Sequence, residues 1–425
     1  MSAKVIEVRI WGQRVGALAA DPKLGCYVFE YAPAWLKTGI ELAPRTMPSA
    51  GYRKPYVFPQ LPMATYQGLP GMIADALPDA FGNALINAWM QTKGIEKGAI
   101  TALDRLAYMG KRSLGALEFH PAKGTRKDSS DALEMSSLVE AARSAVHGEF
   151  ASDRMAEAAL AQIIRVGTSA GGARAKAVIA WNPETEEIRS GQFETSPGFE
   201  HWLLKFDGMG SDHELGVGSD YGRIEYAYYL MARTAGIQMS PSQLLLENGR
   251  AHFMTRRFDR DGNEKHHVQT LCAMEHLDYK LRAAHAYAQA FMTVAKLNIG
   301  QAATDDLFRR MAFNVMARNC DDHTKNFAFI LRRDHSWAMA PAYDVTHAHN
   351  PQGEWTYQHL MSVSGKFHDI TRVDLLQEAN RFGVRRPDTI LDEVAGAITS
   401  FDQFANTAGL EKAKANLVAK DFRLV

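Results

Sequence analysis

Asp321 and Asn326 stand five positions apart in "NCDDHTKNFAFI", residues 319–330. Their side-chain oxygens are hard donors of the kind that suit Mg²⁺, which usually binds through one or two carboxylates together with a substrate's phosphates. The run from Phe327 to Leu331 that follows is apolar and reads as a strand, "RRDHS" (332–336) reads as a turn, and "WAMAPAYD" (337–344) reads as a returning strand that delivers Asp344 near the same end. Acid, asparagine, hairpin and second acid thus make a set of oxygen ligands converging at one mouth. The short pattern on its own fits a turn capped by its Asp and Asn side chains equally well.

Two further pieces lie upstream. "RVGTSAGGARAKAVIAW" (165–181) joins a helix to a strand through Gly167, Gly171 and Gly172, and glycines let backbone N–H groups approach and cradle phosphates. It is not a Walker A loop, because Ala173 stands where that motif needs lysine. Lys205 in "HWLLKF" (201–206) sits among strand-forming apolar residues, where a charge is costly unless paired; a lysine on the solvent face of an edge strand is the plainer reading. Glu225, read as opening the next helix, could pair with Lys205 or simply answer the helix dipole. Glycine loop, strand lysine, helix, "TRRFDR" (255–260), then Asp, Asn and Asp is the order of parts in a phosphoryl-transfer site of the protein-kinase type. A rival reading takes Asp321, His323, Asp344 and His347 or His349 of "DVTHAH" (344–349) as a hydrolytic metal site, though that chemistry leaves the glycine loop and Lys205 without a role.

The elements that must hold these residues are legible in outline. Val5 to Ile10 alternates like a half-buried strand, Gly12-Gln13 offers a turn, and Val15 to Leu18 and Cys26 to Tyr31 continue as short antiparallel strands. In "LPGMIADALPDAFGNALINAWM" (69–90), Leu77, Phe81, Leu85 and Trp89 recur at helical spacing with Pro78 near the helix start, and Gly110 and Gly115 punctuate a return to extended structure. Residues 122–135 are polar and read as a linker before helices over 134–149 and 153–165. Strands follow over 177–181, 201–206, 243–247 and 251–258, with a helix over 225–235; beyond Thr270 the chain is mostly helical.

The 425 residues are 46% hydrophobic and 23% charged, which allows two or three cored domains. Lys plus Arg and Asp plus Glu number 48 each, so the net charge is zero and no global field draws the chain to nucleic acid or membrane. The basic segment "NRFGVRRP" (380–387) is the local exception. Cys26, Cys272 and Cys320 are far apart without CxxC spacing, which argues for a reducing cytoplasm, and neither a signal peptide nor a transmembrane run is expected.

With these residues in view, the chain resembles the HipA family of toxin kinases, the toxin half of bacterial HipBA-type toxin–antitoxin pairs. "LPGMIADALPDAFGNALINAWM" and "YMGKRSLGALEF" look like that family's N-terminal subdomain, and "TSAGGARAK", "LLKF", "RRFDR", "DDHTKNF" and "APAYD" look like its nucleotide and catalytic motifs in the same order. The resemblance implies an α+β, protein-kinase-like two-lobed fold: an N-terminal subdomain over 1–125, a small lobe over 126–258 and a helical large lobe over 259–425. It implies ATP and Mg²⁺ as cofactors. Asp321 then orients the acceptor hydroxyl, Asn326 and Asp344 hold Mg²⁺, and Lys205 meets the ATP phosphates. Gly171, Gly172, Ala173, Arg174, Ala175 and Lys176 form the phosphate loop, the backbone of Arg256, Arg257 and Phe258 the adenine hinge, and His323, Lys325 and Tyr343 lie near the nucleotide. Ser169, or Thr168, falls where the family autophosphorylates itself into silence. The partners implied are a protein substrate, aminoacyl-tRNA synthetases being known family targets, and a small helix-turn-helix antitoxin of the HipB type through which DNA is met. The alternatives are a kinase-fold module that mainly partners such a DNA-bound antitoxin, or a kinase that is not a toxin. Asp322 stands where the family often has glycine and receives no role.

Overall fold

The computed structural model describes residues 3–92, 94–122, 133–147, 175–208, 211–212, 216–217 and 220–425. The expected linker, the expected helix over 153–165 and the phosphate loop up to Arg174 fall mostly or wholly outside them, as do Thr168 and Ser169. The chain divides into two compact units, one of residues 1–209, 256–276 and 330–336, the other of residues 210–255, 277–329 and 337–425.

The first unit opens with strands β1 (Val5–Ile10), β2 (Gln13–Asp21) and β3 (Cys26–Tyr31), joined by β4 (Glu118–His120) in the antiparallel order β3-β2-β1-β4. Alternation does what the sequence suggests: Ile6, Val8 and Ile10 are buried while Val5 is exposed. Gly16 allows β2 and β3 to pack closely, since a Cβ there would sit 2.2 Å from the Glu30 carbonyl oxygen. The apolar spacing at 77–89 becomes the helix Ala80–Thr92, which packs against Met135–His147. A second group of strands, β5 (Lys176–Trp181), β6 (Ile188–Ser190) and β7 (Glu200–Lys205), is antiparallel about β5. The short β6 has too few residues to show an alternation and was not foreseen.

The second unit is mainly helical. Its helix Tyr221–Thr234 packs on the strand Arg250–Arg256, which forms a hairpin with Ser242–Glu247. Gly222 sets that approach, because a Cβ on it would lie 1.9 Å from the carbonyl oxygen of Ala251. The helix begins at Tyr221, so Glu225 lies in its second turn and is buried, and the reading of it as a first-turn partner of the dipole does not hold. The helix Gln301–Met316 buries Leu307, Phe308, Met311, Ala312 and Phe313 at helical spacing and runs directly into the candidate site. The last four helices, Arg372–Phe382, Pro387–Thr399, Phe401–Thr407 and Lys412–Ala419, complete the unit.

Gly222→Ala sets two effects against each other. Alanine favours a helix over glycine by about 1 kcal/mol, but the methyl meets backbone that has no room to give. Overpacking of this kind costs about 1–3 kcal/mol, so the variant is expected to be less stable than wild type in urea denaturation. Equal or greater stability would show that the helix and strand separate easily.

Candidate active site

The helix Gln301–Met316 delivers the candidate catalytic stretch. Arg318 adopts φ +57°, which ends the helical run, and the Tyr228 hydroxyl donates to the Ala317 carbonyl at 2.6 Å, satisfying a helix-end acceptor. Asn319 and Cys320 then pair with Ala348, and a single turn over Thr324–Asn326 leads into the strand Ala328–Leu331. Within this turn Asn326 Nδ2 donates to the Asp321 carbonyl at 2.7 Å. That bond closes the five-residue spacing into a loop and leaves Asn326 Oδ1 as the acceptor suited to a cation.

The returning strand is shorter than expected, Trp337–Met339, and the chain continues to Asp344 outside it. Ala340 N–H donates to the Ala328 carbonyl at 2.9 Å, and the Tyr343 hydroxyl donates to the Lys325 carbonyl at 2.6 Å, so Asp344 follows a residue bound to the neighbour of Asn326. Asp344 itself takes φ +53°, the left-handed region that Asp and Asn enter more readily than other side chains. Asn326 and Tyr343 line one cavity together with Asp322, Asn319, Asn314 and Arg310. A hard-oxygen pair, Asn326 Oδ1 and the Asp344 carboxylate, carried by segments tied at 325–343, fits Mg²⁺ by donor chemistry.

The two adjacent acids have opposite surroundings. The Asp321 side chain is 48% exposed and lies 3.7 Å from His323 Nε2, whereas the Asp322 side chain is wholly buried. Asp322 accepts hydrogen bonds from the Tyr287 hydroxyl at 2.7 Å, from His359 Nδ1 at 2.9 Å and from the Leu360 N–H at 2.7 Å. Asn314 Nδ2 donates onward to the Tyr287 hydroxyl at 3.0 Å, and Asn319 Nδ2 to Asn314 Oδ1 at 2.9 Å. Burial opposes charge on His359, but the Asp322 carboxylate and the neighbouring Cys320 override it and push the imidazole up to about 10. Asp322, without a role from sequence, is therefore the buried anchor of the loop. Its partners lie 35 to 38 residues away, beyond any local spacing rule.

His323 and Lys325 share another unforeseen neighbour. The Tyr279 ring lies 5.2 Å from the His323 ring, and the Lys325 ammonium sits 5.1 Å from its centroid. The rival hydrolytic cluster is not assembled: His347 and His349 reach Asp421 at 2.9 and 3.1 Å, and among the described residues no group of three or more His, Cys, Asp or Glu is placed to hold a metal.

In the first unit, Lys176 and Lys205 are directly opposed across β5 and β7, and both are buried, which sets aside the solvent-face reading of Lys205. Directly opposed residues share a face, so a phosphate over it would meet two ammonium groups at once. Lys176 also lies 3.7 Å from Asp79. Ala175, buried, precedes Lys176, and Gly171, Gly172, Ala173 and Arg174 lie outside the described residues. At the expected hinge, Arg256 pairs at the surface with Glu200, while Arg257 N–H donates to the His201 carbonyl at 2.9 Å and its guanidinium grips Asp259 at 2.6 and 2.9 Å. Phe258 stands between the two residues of that grip.

Breaking a buried ion pair costs roughly 3–5 kcal/mol, so Asp322→Asn is expected to destabilise by that order at neutral pH. The pH dependence has a sign. The folded-state pKa of His359 lies above its free value of about 6.5, so the pair's contribution is whole below that pH and is lost as the pH rises towards about 10. The stability difference between wild type and His359→Asn, followed by denaturation at each pH, should narrow over this window. A difference that grows with pH would overturn the charged assignment.

Comparison with known proteins gives the family and the fold. A family model for the HipA-like C-terminal domain matches residues 168–417, and one for the HipA N-terminal domain matches residues 6–120. Among curated proteins no sequence matches significantly. Among solved structures, the HipA, HipB and operator DNA complex of Shewanella oneidensis MR-1 matches with a TM-score of 0.66 at 16% identity, covering 98% of this chain and 94% of that one. A weaker likeness, to the Helicobacter pylori proinflammatory kinase CtkA, has a TM-score of 0.34 at 11% identity over 52% of this chain and 90% of that one. The α+β, kinase-like fold expected from the sequence is thus met, and the chain belongs to the HipA family.

Proposed function

We propose that this chain is an ATP- and Mg²⁺-dependent protein serine/threonine kinase, the toxin of a type II toxin–antitoxin pair. The observation that carries the reading is the loop in which Asn326 is bound to the Asp321 carbonyl while Asp321 keeps a half-exposed carboxylate beside a fully buried neighbour. Only a carboxylate that reaches solvent can meet an acceptor hydroxyl, and only one held by its backbone can orient it. Asp321 would accept the hydroxyl proton or direct the lone pair at the γ-phosphate. Asn326 and Asp344 would hold the ion, which when bound neutralises the phosphate charge that develops in transfer. Lys205, with Lys176 opposite, would meet the phosphates, and Lys325 would add positive charge from the catalytic loop.

Phosphorylation of Ser169 or Thr168 would place a group of about −1.5 to −2 charge in the loop meant to cradle ATP, which supports autophosphorylation as an off-state. The solved relative seated with HipB on operator DNA supports a helix-turn-helix antitoxin as partner, with DNA met through that complex. A cellular protein such as an aminoacyl-tRNA synthetase is the proposed substrate, and the outcome would be growth arrest and persistence. The cytoplasm is the proposed location; no helix among the described residues is long and apolar enough to cross a membrane.

Transfer of labelled γ-phosphate from ATP to protein tests the reading. Asp321→Asn should lower transfer by about a hundredfold or more while leaving nucleotide binding close to wild type. Equal labelling by both proteins, or a wild type that neither binds ATP nor labels any protein after incubation with lysate, would overturn it.

A further inference from the structure

His347 and His349 are left over from the site just described, and their shared partner lies at the far end of the second unit. Ala348, between them, is bonded on both sides to the entry of the catalytic loop: Cys320 N–H donates to the Ala348 carbonyl at 3.0 Å, and Ala348 N–H to the Arg318 carbonyl at 3.2 Å. This parallel bridge is what ties the segment after Asp344 to the segment before Asp321. On either side of it, His347 Nε2 is hydrogen-bonded to Asp421 Oδ2 at 2.9 Å and His349 Nδ1 lies 3.1 Å from the same oxygen.

Asp421 is itself fixed. Arg423 N–H donates to the Met316 carbonyl at 2.9 Å, at the end of the helix that delivers the loop. The Phe422 ring packs edge-on against Phe401 at 5.1 Å and near Tyr228 at 6.4 Å, and Tyr228 is the residue whose hydroxyl holds the Ala317 carbonyl. Three consecutive residues, 421 to 423, therefore touch the segment after Asp344, the aromatic core beneath the site and the helix before Asp321. Burial resists charge on Asp421, and the hydrogen bond to His347 with the adjacent His349 overrides it and holds the carboxyl down at about 2, while burial lowers His349 below its ordinary value, so at neutral pH the second ring meets the carboxylate as a neutral imidazole.

We infer that Asp421 is a positioning residue for phosphoryl transfer: its carboxylate clasps His347 and His349 and so keeps the Asp344 segment in register with the Asp321 segment. It touches neither nucleotide nor acceptor. The inference rests on the roles given to Asp321 and Asp344 under the proposed function, but the clasp is a statement about two backbone segments and can be read without catalysis. A partner that orients a metal ligand from behind commonly changes metal affinity when removed, by about 10–100-fold, and leaves the direct phosphate contacts in place.

The test uses the full chain as wild type, Asp421→Ala and Asp421→Asn. Hydrogen exchange of the Cys320 and Ala348 amides reads the clasp directly, and the Mg²⁺ dependence of phosphate transfer reads its consequence. Asp421→Ala is expected to speed exchange at both amides relative to those of the helix Gln301–Met316, and to raise the half-saturating Mg²⁺ concentration about tenfold or more. The KM for ATP at saturating Mg²⁺ should stay within about twofold, since uniform phosphate binding is not touched. Asp421→Asn, which keeps one acceptor oxygen, should fall between the two. A lower melting temperature with unchanged amide exchange and unchanged Mg²⁺ dependence in the folded variant would overturn the inference and leave Asp421 a purely structural contact. Should Asp421→Ala fail to fold, the same two readouts on Asp421→Asn decide. A wild type that transfers no phosphate would sink the proposed function instead, and the exchange comparison would still decide whether Asp421 holds the two segments together.

Discussion

A carboxylate without solvent is among the costliest groups a fold can hold, and Asp322 is one. It is tolerated because three donors converge on it from a helix, Tyr287, and from consecutive residues of a distant loop, His359 and Leu360. Those bonds have directions, so the carboxylate has essentially one place to sit, and the backbone that carries it is fixed with it. Apolar packing at the same position would tolerate small slides; a hydrogen-bonded charge does not. The neighbouring residue, Asp321, inherits that precision while its own side chain stays half exposed. The density of charge in "CDDHTKN" is thus two separate requirements placed side by side: one acid that must be anchored, and one that must be offered.

The same economy appears in the first unit. β5 and β7 are held in register by their apolar residues, with Ala177 opposite Leu204 and Ile179 opposite Trp202, all buried. A slip of one residue would turn each of these to the wrong face. That register also sets Lys176 opposite Lys205, which makes the position of two ammonium groups a by-product of hydrophobic pairing. Like charges so placed are unfavourable by themselves, and the nearby Asp79 offsets part of this.

Much of this was legible from the chain alone, and the boundary of legibility has a physical form. The strands β1 to β3 and the helix Ala80–Thr92 follow from local periodicity and turn residues, and the structure has them within a few residues, whereas the strand returning towards Asp344 stops at Met339. Asp321 and Asn326 could be paired because their partnership is local. Asp322 could not be read, because its meaning lies in Tyr287 and His359, and His347 and His349 were drawn towards a metal reading because Asp421 is 72 or more residues away. Helix beginnings were also misplaced where apolar spacing starts late: Glu225 reads as a first-turn residue only if Tyr221 to Ile224 are discounted.

Asp344 shows how backbone and chemistry can be met by a single residue type. The chain must turn after Tyr343, and it does so with φ +53°. Glycine would enter that conformation without cost but bring no ligand; alanine or leucine would strain and bring none either. Aspartate enters the left-handed region at modest cost and carries two hard oxygens. Its neighbour on one side is pinned by the Tyr343–Lys325 bond, and the segment on its other side by the Ala348 bridge to Arg318 and Cys320. A residue in an uncommon conformation persists only where its surroundings over-determine it. Pinned on both sides within four residues, Asp344 meets that condition, and the carboxylate is presented by a backbone that has little freedom to withdraw it.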